Sequence, residues 1–256
     1  MSTTTQFLSQ FFPDPEEPIW LRTFDAKGLP AGVRGHAQNI ETCINELRSD
    51  RALQRRLRNI NKTQGVYFVV NSGGTKDGDI HRINAIFCEM DDRPIATQHD
   101  IFDYEAPATP SIRVETRKSV HAYWLLEEPI STDDFLNLQQ GLIQCFKSDN
   151  SIKNLSRVMR VPFFNHVRWD GGYQYRPVTL PAFRYDFRYT LAELKDAFPY
   201  TPPKKHIDQF ERPSGGMETL EDVKAKLRRR IMATDSWKAH GEWGSANARC
   251  HGGEGD

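Results

Sequence analysis

Apolar residues fall into short runs whose period changes along the chain, and the changes mark the elements. Residues 66–71 (VYFVVN) are continuously apolar, which predicts a buried strand closed by the turn-rich SGGTKDGD that follows. Residues 83–90 (INAIFCEM) predict a second strand that runs into Asp91-Asp92-Arg93-Pro94 and stops at the proline. Residues 111–115 (SIRVE) and 120–126 (VHAYWLL) predict two adjacent strands, with Thr116-Arg117-Lys118-Ser119 as the hairpin between them. Elsewhere the period is helical. Ser131 opens a helix reaching Lys147, with Asp134 as its capping partner and Phe135, Leu138, Leu142 and Cys145 on one stripe. Asp50 caps another, in which Leu53, Leu57 and Ile60 share a face. Thr190 and Glu193 form a capping box for a short helix that ends at Pro199.

Strands alternating with helices predict a mixed α/β domain over residues 1–200. Residues 201–216, rich in proline and glycine with mixed charge, read as a linker. Residues 217–256 read as a helical accessory segment, with Leu220, Val223, Leu227 and Ile231 at helical spacing and a glycine-rich end that reads as a cut from a longer protein.

Composition narrows the function. Of 256 residues, 38% are hydrophobic and 27% charged, and no apolar run approaches the roughly 20 residues a bilayer requires. A membrane span is not expected. The N-terminus lacks the basic and apolar regions of a secretory signal, so the cytoplasm is the expected compartment. Cys43, Cys88, Cys145 and Cys250 are scattered without a C-x-x-C pair, which argues against a disulfide framework or a cysteine zinc site. Lys and Arg total 34, as do Asp and Glu, so any attraction for a polyanion has to be local. One local excess stands out: Arg51, Arg55, Arg58 and Lys62 lie opposite the apolar face of their helix, either as a solvated surface or as a contact for nucleic-acid phosphate.

Several chemistries lack their motifs. There is no G-x-x-x-x-G-K-[ST], no G-x-G-x-x-G, no G-x-S-x-G and no H-E-x-x-H, which sets aside P-loop ATPases, dinucleotide oxidoreductases, α/β-hydrolases and zinc proteases. Three clusters remain. Glu89 and Asp91, one residue apart at a strand end, face the same way and offer two hard oxygen ligands suited to Mg²⁺ or Mn²⁺. His121 follows Arg117, Lys118 and Ser119 at a strand edge, where imidazole and hydroxyl can donate to phosphate and the cations can neutralise it. Asp149 precedes Arg157 and Arg160, whose spacing of three on a helical turn would put both guanidinium groups on one side.

In this order the three clusters resemble the archaeo-eukaryotic primase superfamily, and within it the RepB-like and PrimPol-type primase-polymerases. Glu89 and Asp91 match its first motif, and Ser119-Val120-His121 its Ser-x-His motif. The third motif, a carboxylate leading into Arg-x-x-Arg-x-Pro-Gly-Phe-x-His, is matched by Asp149, Arg157, Arg160, Pro162, Phe164 and His166, with Phe163 in the place of glycine. Arg168 stands where lysine is common. The resemblance implies an RRM-like catalytic sheet flanked by helices, with a small N-terminal αβ module. It also implies template-directed primer synthesis on single-stranded DNA from NTPs or dNTPs with two Mg²⁺ or Mn²⁺ ions. Glu89, Asp91 and Asp149 would be catalytic metal ligands. Arg117, Lys118, Ser119, His121, Arg157, Arg160 and His166 would hold the nucleotide, and Arg51, Arg55 and Arg58 the template. A helicase domain or another replication factor C-terminal to this segment is a further expected partner. Two rival readings use the same residues, a non-catalytic RRM-like module that binds single strands and a metal-dependent nuclease.

Overall fold

The computed structural model describes residues 2–30, 32, 35–202, 220–232, 238–240 and 243–245. In chain order these form α1 (Ser2–Leu8), β1 (Ile19–Asp25), β2 (Gln38–Thr42), α2 (Ile44–Ser49), α3 (Arg51–Ile60), β3 (Gln64–Val69), β4 (Ala85–Met90) and α4 (Ile95–Asp100). There follow β5 (Ile112–Glu115), β6 (Val120–Leu125), α5 (Thr132–Phe146), β7 (Val158–Arg160), β8 (Asn165–Trp169), β9 (Tyr173–Pro177), β10 (Thr179–Phe183), α6 (Leu191–Ala197), α7 (Leu220–Met232), β11 (Lys238–His240) and β12 (Trp243–Ser245). The chain divides into two units, Met1–Pro202 and Pro203–Asp256.

The local signals act as their chemistry requires. The Asp50 carboxylate accepts from the N–H groups of Ala52 and Leu53 and starts α3. Ser131 accepts from the N–H of Asp134 at the start of α5, and α5 ends at Lys147 in the left-handed conformation. Thr190 and Glu193 complete a reciprocal capping box on α6.

Two antiparallel four-stranded sheets carry the first unit, ordered β2-β1-β3-β7 and β10-β5-β6-β4, with β8 and β9 as a separate hairpin. The mixed α/β class expected from the sequence is the class observed. β6 is buried along its whole length because both of its faces are covered. Tyr123 packs against Phe7, Phe11 and Phe68 on one side, and Trp124 against Phe102, Phe146 and Phe198 on the other. That two-sided burial explains why VHAYWLL is a continuous apolar run rather than an alternating one.

The passage between the sheets is fixed by a buried amide. Asn84 donates its N–H to Asn71 Oδ1 and its Nδ2 to the Val70 carbonyl, tying the start of β4 to the end of β3. β4 lies at the edge of its sheet, where its outward backbone groups would lack partners. Gln139 of α5, fully buried, supplies them: its Oε1 accepts from the Phe87 N–H and its Nε2 donates to the Phe87 carbonyl. An unpaired buried backbone group costs about 1–3 kcal/mol, so this one side chain helps to hold the strand that carries Glu89.

Two expectations change, and a third falls mostly on residues outside those described. Arg157 and Arg160 do not sit on a helical turn, because Tyr67 pairs with Arg160 and Val69 with Val158, which draws the segment into the first sheet as β7. The second unit, expected to be helical, adds to α7 the antiparallel strands β11 and β12. Most of the expected linker, residues 203–216, lies outside the described residues. Among the described residues no helix is long and apolar enough to cross a membrane.

Candidate active site

The sheet register brings the first two sequence clusters together. Glu89 on β4 lies opposite His121 on β6, with His121 Nε2 3.5 Å from Glu89 Oε1. The hairpin before β6 is a tight turn in which Thr116 Oγ1 accepts from the Ser119 N–H. Ser119 Oγ then reaches Glu89 Oε1 at 3.1 Å. Gln98 of α4 braces the turn from behind, donating to the Lys118 carbonyl and accepting from the Val120 N–H. Ser119 was expected to donate to phosphate. Its hydroxyl instead bridges Thr116 and Glu89, so it positions the carboxylate.

The third cluster arrives from the other sheet. Arg157 Nη2 lies 3.5 Å from Glu89 Oε2. Burial pushes the Glu89 carboxyl up, but His121, Arg157 and Ser119 outweigh it and hold the carboxyl down at about 2. Glu89 is therefore ionised at neutral pH. Arg160 lies over the Tyr67 ring, 4.6 Å from its centroid. A side chain at Gly65 would meet Arg160 Nη1 at 2.7 Å, so the glycine makes room for that stack. His166 on β8 accepts from the Arg117 N–H. Burial, then Arg160, Arg117 and His121, push its imidazole down to about 3, so it is neutral.

These groups line one cavity of about 580 Å³, within the range of small-molecule sites. Glu89, Asp91, Arg117, Lys118, Ser119, His121, Arg157, Arg160 and His166 all reach it, and Asp25, Lys27, Tyr67 and Arg168 join them. Six cationic side chains (Lys27, Arg117, Lys118, Arg157, Arg160 and Arg168) thus face three carboxylates (Asp25, Glu89 and Asp91), a balance that favours an anion. Among the described residues, His121 Nδ1, Arg157 Nε, Arg160 Nη1 and Arg168 Nε are buried without a hydrogen-bond partner. Each unsatisfied group of this kind costs about 1–3 kcal/mol.

Asp149 does not join the set. The loop after α5 does return to β4, where Ser148 lies beside the Cys88 thiol. The exposed Asp149 carboxylate, however, accepts from both the N–H and the hydroxyl of Ser151 and is not among the residues that line the cavity. Short acidic side chains commonly close such local turns. No cluster of three or more His, Cys, Asp or Glu among the described residues is arranged to hold a metal ion. Glu89 and Asp91 nevertheless fit a hard cation that takes one or two carboxylates and fills its shell with water and phosphate. Arg51 and Arg55 lie on the exposed face of α3, and Arg58 lines a separate groove.

The sequence reading missed Asp25, Lys27 and Tyr67. Asp25 ends β1 as Glu89 nearly ends β4, and Lys27 follows two residues on. A carboxylate and a cation closing an apolar strand were the available signal.

No family model and no curated protein matches this chain. Among solved structures it is similar to the AEP domain of the primase-polymerase (PrimPol) of cyanophage S-2L, with 24% identity and a TM-score of 0.61 over 77% of this chain and 97% of that one. It is similar also to the catalytic domain of primase RepB′ in complex with initiator DNA, with 16% identity and a TM-score of 0.52 over 76% of this chain and 93% of that one. A further structure of primase RepB′ aligns at 15% identity and a TM-score of 0.52, over 90% of this chain and 68% of that one. The likeness is one of fold, and the chain has an archaeo-eukaryotic primase-like fold.

Proposed function

We propose that this chain is a primase-polymerase that makes primers on single-stranded DNA from nucleoside triphosphates. The observation that carries the reading is the cavity itself, where the side chains of His121, Arg157, Arg160 and Arg168 surround a space entered by Glu89 and Asp91. A nucleoside triphosphate supplies the negative charge that this lining attracts. Arg117 and Lys118 lie on the same wall and add charge. Neutral His166 adds a ring nitrogen that does not repel a bound cation.

Glu89 and Asp91 would hold Mg²⁺ or Mn²⁺ together with phosphate oxygens. Such an ion supplies charge stabilisation at the attacking and leaving oxygens of phosphoryl transfer. With Asp149 bonded to Ser151, the chain would hold one ion rather than the expected pair. The chain's own contribution is to fix the triphosphate and to keep Glu89 ionised through His121, Arg157 and Ser119.

The test is incubation with unprimed single-stranded DNA, labelled nucleotides and Mg²⁺ or Mn²⁺, followed by sizing of the products. New strands longer than the input nucleotides are expected. Shortened template would make the protein a nuclease, and binding without product a non-catalytic module.

A further inference from the structure

A second cavity, of about 460 Å³, opens beside the first. Its walls are Arg58, Asn61 and Lys62 at the end of α3, Phe163 to Asn165, and Tyr175 of β9. No carboxylate lines it among the described residues, and two cations do. Two of its aromatic rings are unusually open, with Phe163 49% and Tyr175 52% exposed.

Phe163 is held in a conformation its side chain resists. Its φ is +69°, a region that suits glycine and is an outlier for a bulky residue. The backbone there is fixed on both sides: the Phe163 N–H donates to the Val178 carbonyl, and the Val178 N–H donates to the Phe164 carbonyl. Phe164 is buried in the core, so the loop has no need of a second ring for packing. The motif this segment resembles carries glycine at this position, which is the residue the backbone calls for. A strained residue that keeps an aromatic ring on the surface points to a use for the ring.

The position of the groove shows what that use is. Asn61 binds both backbone groups of Asn165, its Oδ1 accepting from the N–H and its Nδ2 donating to the carbonyl. This fixes the start of β8 against α3. Asn165 then lines the groove while the next residue, His166, lines the nucleotide cavity, because neighbours on a strand point to opposite faces. β8 is thus a wall common to both sites. Tyr175 is anchored by its hydroxyl, which donates to the Lys62 carbonyl, leaving its ring exposed.

We infer that this groove is the single-stranded DNA platform of the protein: a base stacks on Phe163 beside Tyr175, and Arg58 and Lys62 take the adjoining phosphates. Exposed rings interleaved with cations are the chemistry of sequence-tolerant single-strand binding. The inference rests on the template-directed reading above and assigns its template side.

The experiment measures binding of a labelled oligodeoxythymidylate of about 16 nucleotides, together with the melting temperature, for the parent, Phe163→Gly and Phe163→Trp. Phe163→Gly should weaken binding by about 5- to 150-fold, the range of one lost stacking contact. Its melting temperature should stay level or rise by about 2–4 °C, since glycine relieves the backbone. Phe163→Trp should bind at least as tightly as the parent. Parent-like affinity in Phe163→Gly would overturn the inference, and so would a loss of affinity accompanied by a fall in melting temperature, which would make Phe163 a packing residue. A failed primase reading looks different: the parent itself then makes no product from unprimed template.

Discussion

His121 stands directly opposite Glu89 across the β4–β6 ladder, its Nε2 3.5 Å from Glu89 Oε1, while its Nδ1 is buried without a partner. One ring nitrogen thereby faces the carboxylate, and the ring stands in the wall of the cavity. His121→Ala should lower nucleotide affinity by roughly 10- to 100-fold, the scale of one charge-assisted hydrogen bond, and leave single-strand binding unchanged. Titration calorimetry with a nucleotide and Mg²⁺ reads this directly. Equal affinity in parent and variant would leave His121 as a strand residue only.

Acid sensitivity should follow from the same pair. The Glu89 carboxyl is held at about 2 in the folded protein, below its ordinary value of 4.5. A carboxyl depressed on folding stabilises fully above its unfolded value, and that stability is lost as pH falls through the folded one. In the metal-free protein, the stability difference between parent and Glu89→Gln should therefore be constant above about pH 4.5 and narrow progressively toward about pH 2. Urea midpoints at several pH values check it. A difference that stays flat across that window would mean Glu89 is not held by its cations.

The sequence was most legible where structure depends on near neighbours. The caps of α3, α5 and α6 were readable because each is made by a residue two or three positions from its partner. β4 and β6 were readable because a strand buried on both faces leaves an unbroken apolar run. What escaped was set by distant pairing. The spacing of Arg157 and Arg160 fits a helical turn, yet pairing with β3 overrides it, and both guanidinium groups reach the cavity from extended backbone. Asp25, Lys27 and Tyr67 meet the site only because β1 and β3 pair and β8 returns beside Lys27. Asp149 shows the converse. Its position after α5 was readable, but not that its carboxylate would close a turn onto Ser151.

Gly65 offers a test of the arginine stack that leaves every cavity-lining residue in the sequence unchanged. An added Cβ would lie 2.7 Å from Arg160 Nη1 and 2.9 Å from Tyr67 Cε2, so both must give way. Arg160 has the freer end and should be displaced from the ring. Gly65→Ala should cost about tenfold in nucleotide affinity, as one cationic contact to phosphate is lost. Circular dichroism should stay parent-like. Unchanged affinity would show that the Arg160 position over Tyr67 does not matter for the nucleotide.

The exposed face of α3 yields a salt-dependence prediction. Arg51, Arg55 and Arg58 lie on it, and Arg58 borders the aromatic groove. If all three meet phosphate, changing them together to Ala should flatten the slope of log affinity against log salt by about 2, at about 0.7 per contact on a single strand. A change of about 0.7 would assign the contact to one arginine, and the groove marks that one as Arg58. An unaltered slope returns the whole face to solvent.

The two carboxylates at the end of β4 differ in what holds them, and the difference separates fold from chemistry. Glu89 is tied to Ser119, His121 and Arg157, so replacing it disturbs the packing between sheets as well as the site. Asp91 lies one residue past the strand, exposed at the cavity. No hydrogen bond or ion pair in the described structure engages its carboxylate. A carboxylate so placed contributes little to stability, and Asp91→Asn should change the unfolding free energy by no more than about 0.5 kcal/mol. It should nevertheless remove a hard oxygen ligand from the position where phosphate and cation meet. Uptake of Mn²⁺ in the presence of a nucleotide should weaken, and primer synthesis should fall by on the order of 100-fold or more, the scale of losing one electrostatic group at a reacting centre. Single-strand binding should persist or tighten, because a negative charge has left the neighbourhood of the template. A folded Asp91→Asn protein that makes primers at the parent rate would remove the metal from this strand end and leave the cavity as an anion site alone.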